Sequence, residues 1–95
     1  MRFFYSEIKE ITLTFTAISH NAYGMEYMTI DYERPNINGF DFLEMILPSL
    51  EIKKSYGFSQ DEISELIDYA QRNSFIMWDI ARENMREKDE IAASI

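Results

Sequence analysis

From Ile11 to Ile18 the chain reads ITLTFTAI, with apolar and polar positions in alternation. Ile11, Leu13, Phe15 and Ala17 fall on one side and Thr12, Thr14 and Thr16 on the other. That is the pattern of a half-buried strand whose β-branched threonines sit on the wetter face. A second strand is expected over Met25–Glu33, where Met28, Ile30 and Tyr32 share one face and Tyr27, Thr29 and Asp31 the other. The intervening SHNAYG has turn composition, and Gly24 can take positive φ. The two segments therefore read as an antiparallel hairpin with a loop of about four to six residues. Phe3–Ile8 either extends the first strand or forms its own.

The pattern changes near RPNINGFD, Arg34 to Asp41. Asn38-Gly39 is a turn signal. Asp41 followed by Glu44 has the spacing of a capping box, with Phe40 and Met45 placed as its hydrophobic staple, so a helix is expected from Phe42. Pro48 should kink or stop that helix, because it cannot donate to the carbonyl of Glu44. A second piece over Ser49–Ser55 would end at Gly57. The clearest start signal comes next: Ser59 and Glu62 form a capping box, Phe58 and Ile63 its staple, and Asp61 and Glu62 put negative charge at the positive end of the helix dipole.

At about 100° per residue, Ile63, Leu66, Ile67, Ala70, Ser74, Met77, Trp78, Ala81 and Met85 fall on one face of a single long helix, from about Gln60 to Glu87. Within it SFIMWDIA, Ser74 to Ala81, is apolar on more than one side. Tyr69, Ile76 and Ile80 form a second line, and Phe75 lies off both. Three readings are open. The long helix could run through the core between the sheet and the Phe42–Ser55 helix. It could pair across a two-fold axis in a homodimer. It could offer a groove to a different protein. The expected architecture is α+β: an antiparallel β-hairpin, with a possible third N-terminal strand, packed on a Pro-kinked helix and one long C-terminal helix. One domain is expected, with a β part over 1–34, a helical part over 40–88 and a frayed tail over 89–95.

Charge narrows the partners. Seventeen acids against nine bases give a net charge of -8. Direct binding of nucleic acid is disfavoured, since it needs lysines and arginines to neutralise phosphates, and an anionic membrane is disfavoured for the same reason. A basic protein partner is permitted. Cysteine is absent, which removes disulfides and thiolate chemistry. No window is apolar over 18 residues, the N-terminus lacks a signal-peptide core, and a cytoplasmic protein is the default expectation.

The chemical motifs are few. His20 is the only histidine, and with Glu26, Asp31 and Glu33 it makes a poor metal set. A Ser-His-acid arrangement would have to use His20, yet no serine sits in a nucleophile elbow and no phosphate loop is present. No cofactor, metal site or catalytic activity is expected. The sequence reads as a small acidic interaction or accessory protein that self-associates, with Tyr69, Phe75, Ile76, Trp78 and Ile80 as contact residues, because large aromatic and branched side chains anchor interfaces. His20 and Tyr23, at the hairpin tip, are a secondary candidate. A second reading is an acidic inhibitor that imitates nucleic acid, with Asp61, Glu65, Asp68, Asp79, Glu83 and Glu87 on the outer helix face. A third is an enzyme using His20 with a nearby carboxylate.

Overall fold

The computed structural model describes the backbone of residues 1–94 and the side chains of residues 1–86. Six strands precede one helix: β1 (Arg2–Ile8), β2 (Ile11–Thr16), β3 (Ser19–His20), β4 (Glu26–Asn36), β5 (Gly39–Leu47), β6 (Ile52–Tyr56) and α1 (Gln60–Ser94). The sheet order is β1-β2-β4-β5-β6, every neighbouring pair antiparallel, with the short β3 paired to the start of β4. The fold is α+β, an antiparallel meander with one helix laid on one face.

The alternation in β2 and β4 does what a period of two must do. Leu13, Phe15, Met28, Ile30 and Tyr32 point to the helix side and are buried. The opposite positions, from Thr12 to Asp31, line the face without a helix. In the expected hairpin, β3 pairs Ser19 with Tyr27 and His20 with Glu26, leaving Asn21–Met25 as the loop. Asn21 organises that loop: its side-chain oxygen accepts from the amides of Tyr23 and Met25, and Gly24 takes φ 79°. The N-terminal segment is a strand of its own, and a bulge between Phe4 and Ser6 changes its register against β2. As a result Tyr5 and Ser6 both reach the helix.

α1 runs antiparallel to β4. Arg34, near the end of β4, bonds Glu62 in the first turn; the Tyr32 hydroxyl donates to the Leu66 carbonyl; Glu26, at the start of β4, binds Arg82. The strand from Glu26 to Arg34 and the helix from Glu62 to Arg82 each span roughly 30 Å, so the two elements match in length. Ala70, Met77 and Ala81 are fully buried against Leu43, Met45 and Leu47 of β5 and the inner residues of β2 and β4. Burying a side chain the size of Met77 contributes about 1.5–3 kcal/mol. The capping box is present in both directions: the Glu62 amide donates to Ser59 Oγ and the Ser59 amide to Glu62 Oε1. Phe58 and Ile63 pack on the core edge as the staple requires.

The Pro-kinked helix does not exist. Residues 39–47 are strand β5 and residues 52–56 are strand β6, so the β part extends to Tyr56 and the helical part begins at Gln60. The sequence of β5 imitates a helix because both its faces are apolar: Leu43, Met45 and Leu47 point inward, Phe40, Phe42 and Ile46 outward, and alternation vanishes. Asp41 is not a cap; its carboxylate accepts from Asn36 and Arg34. Phe40 and Met45 lie on opposite faces and form no staple. Pro48, lacking an N–H, ends the β5 ladder instead of kinking a helix. Ile37 and Asn38 form the two-residue turn between β4 and β5. The tail expected to fray over 89–95 belongs to α1 through Ser94; its side chains, and Ile95 altogether, lie outside the described residues.

Candidate functional site on the long helix

The core stripe of α1 sits on the sheet as its spacing requires: Ile63, Leu66, Ile67 and Trp78 are partly buried, and Ala70, Met77 and Ala81 fully so. Met85 is the exception, more than one-third exposed at the end of the stripe. The crowded stretch Ser74–Ala81 resolves into three directions. Met77 and Ala81 face β4 and β5. Trp78 packs at the core margin under the Arg82 guanidinium, which lies 5.6 Å above its ring. Phe75, Ile76 and Ile80 are 63%, 37% and 39% exposed. The Phe42–Ser55 helix that one reading set against them is the strand pair β5 and β6, which lies in the sheet and does not cover them.

The five expected contact residues therefore divide. Tyr69 is half-buried: its ring packs edge-on to Tyr5 with centroids 6.3 Å apart, and its hydroxyl lies 3.0 Å from Ser6 Oγ. Tyr69 and Trp78 serve the helix–sheet contact. Ile76 and Ile80 share the flank of Tyr69, one turn apart. Phe75 is turned roughly 100° from Ile76 and lies on the opposite flank.

Where that flank lies is set by the contacts beneath it. Ser6 meets Tyr69, and Tyr5 donates to Asn73 Oδ1 at 2.7 Å, so β1 and α1 run in opposite directions. The next turn of α1, carrying Ile76 and Ile80, thus lies toward the N-terminal end of β1. There Phe3 stacks on Phe15 with centroids 5.0 Å apart, and Met1 is exposed. β1 is also an edge of the sheet. The flank thus continues from the turn of α1 that contacts the open edge strand.

A cleft of about 310 Å³ opens further along β1 and α1, lined by Ile8, Ile11, Leu13, Leu66, Tyr32 and Tyr69 with Lys9 and Arg72 among its charged residues. Its tyrosines are bonded within the protein, and burial pushes the Tyr32 hydroxyl far above its ordinary range.

The hairpin-tip candidates do not meet a partner set. His20 Nε2 lies 3.9 Å from Glu26 Oε2, beyond hydrogen-bond range, and Tyr23 stands out in solvent. Glu26 belongs to Arg82, whose two bonds hold its carboxyl below the usual range. Among the described residues no three of His, Asp and Glu could hold a metal ion, and no helix is long and apolar enough to cross a membrane. On the outer helix face Asp68 pairs with Arg72 and Glu83 with Arg86, so the acidic run is interrupted by cations; the side chain of Glu87 lies outside the described residues. The chain matches no family model, and no curated protein or solved structure is found similar to it.

Proposed function

We propose that the chain is a small acidic protein-interaction module, without catalytic activity, that self-associates through the flank of α1 carrying Ile76 and Ile80. One observation carries this reading: two branched apolar side chains, a turn apart, are left 37% and 39% exposed on the flank of α1 whose preceding turn contacts the open edge strand β1. A two-fold copy could pair along β1 and cover the flank at once, and edge strands left bare tend to acquire partners. Phe75 lies outside this surface, and Tyr69 and Trp78 support it from the core.

Sedimentation velocity across a concentration series tests the reading. A dimer is expected by tens of micromolar, and Ile76→Asp with Ile80→Asp should dissociate it while the circular dichroism and melting temperature stay near wild type. A wild-type protein that remains monomeric at several hundred micromolar would sink the proposal.

A further inference from the structure

The sheet has a second large surface, its outer face, which no described side chain of α1 touches. The register maps that face as rows crossing the strands. One row reads Glu7, Thr12, Glu33, Phe42, Tyr56, from edge to edge. The next reads Phe4, Thr14, Asp31, Glu44, Lys54. The rows differ in how their charges are met. In the second, Arg2 bonds Asp31 and Thr14, and Lys54 stands opposite Glu44. In the first, Glu7 and Glu33 have no ion pair among the described residues, and the row contains no cation.

Beside Glu33 the same row ends in an aromatic platform. Phe42 and Tyr56 stack with centroids 5.9 Å apart and planes inclined by 21°, yet they remain 38% and 61% exposed. Phe40, one step along β5 on the same face, is exposed as well. An exposed aromatic stack next to an unanswered carboxylate is what a guanidinium requires: a flat π-face to lie on and a planar anion to bind. Lysine fits the carboxylate but gains less from the rings.

We infer that the outer face of the sheet docks a basic, arginine-bearing segment of another protein along the row Glu7–Glu33–Phe42–Tyr56. Charge complementarity selects this occupant: a chain of net charge -8 that leaves a cation-free row of carboxylates and rings on an uncovered face attracts a cationic segment and repels polyanions. A second copy of this chain is a poor occupant, since it carries the same net charge of -8 and offers few free cations to the row among its described residues. The row spans the sheet, roughly 19 Å at the strand spacing, enough for a short extended segment. Glu33, Phe42 and Tyr56 lie on β4, β5 and β6, away from β1 and the α1 flank, so loss of self-association leaves that part of the row intact.

The test is a titration monitored by amide chemical shifts, with a blocked peptide in which three arginines alternate with glycine, and its all-lysine counterpart. Shifts are expected to concentrate at Glu33, Phe42 and Tyr56, with the arginine peptide about two- to fivefold tighter than the lysine one and weakened by added salt. Phe42→Ser should remove the preference for arginine, and Glu33→Gln, at an exposed position that cannot disturb the core, should weaken both peptides. Equal binding of the two peptides that survives Phe42→Ser would reduce the effect to general attraction between opposite charges and overturn the inference. Shifts confined to α1, or none at millimolar peptide, would overturn it too.

Discussion

Asp41-x-x-Glu44 and Ser59-x-x-Glu62 look alike on paper, and the protein uses them in opposite ways. The second caps a helix through reciprocal bonds between Ser59 and Glu62. The first lies in a strand, where two residues three apart face opposite sides of the sheet: Asp41 points inward and is almost fully buried, Glu44 points outward. The motifs themselves do not differ enough to decide this; the residues downstream of each do. After Glu62 the apolar residues recur with helical spacing; after Glu44 they occur on alternate sides of a strand that is apolar on both. The two motifs also meet in space. Arg34 bonds Asp41 through Nε and Nη2, at 2.8 and 2.7 Å, and bonds Glu62 through Nη1. One guanidinium ties the strand pair β4–β5 to the first turn of α1.

The largest expected effect breaks the Asp41 half of this arrangement. Gly57, between β6 and the cap, has φ 87°, and a Cβ there would sit 2.0 Å from Asp41 Oδ1. Gly57→Ala must adopt a left-handed backbone and push Asp41 away from Asn36 and Arg34. A loss of about 3 kcal/mol is expected from strain and overpacking together, measurable as a lower midpoint in urea. A loss below about 0.5 kcal/mol would mean that Asp41 swings aside at little cost and that the buried half of the clamp is dispensable.

Much of this organisation was legible in sequence, for reasons that particular residues make clear. Ile11–Thr16 and Glu26–Glu33 alternate because one face is core and the other water, and Ser59 announces α1 because its chemistry is local. β5 was illegible because Phe40, Phe42 and Ile46 give its outer face the same apolar character as its inner one. β6 was illegible because all five of its residues are exposed and carry no pattern. The candidate flank was half visible: spacing singled out Ile76 and Ile80, but only the position of β1 separates them from Tyr69, which β1 covers. The outer-face row could not be read at all, since it joins residues from every long strand and exists only once the register is known.

A smaller effect probes the Glu62 half. The bonds from Arg34 and from the Ser59 amide hold the Glu62 carboxyl down to about 2. A group whose folded value lies below its unfolded one contributes stability that is complete above the unfolded value, 4.5, and is lost as pH falls through the folded one. Wild type should therefore exceed Glu62→Gln in denaturant midpoint at pH 6, and the gap should narrow as pH falls from 4.5 to about 2. The carboxylate is 35% exposed, so salt should shrink the gap as well. A gap independent of pH would assign the loss to the cap's shape instead of its charge.

The smallest effect is the most discriminating, because it is expected to be nil where a true cap would lose stability. Glu44 stands opposite Asp31 on one side and Lys54 on the other. Glu44→Ala, which unlike Gln could not serve a capping box, relieves a repulsion between facing carboxylates and gives up an attraction to one lysine, two cross-strand terms of similar size and opposite sign. The change in stability should stay within about 0.5 kcal/mol, with no change in helix content by circular dichroism. A loss of helix signal would place Glu44 in a first helical turn after all, and the strand reading of residues 39–47 would fail with it. A neutral result makes the contrast complete. The same spacing of a short polar residue and a glutamate caps a helix at Ser59 and is coincidence at Asp41, and the period of the neighbouring apolar residues decides between them.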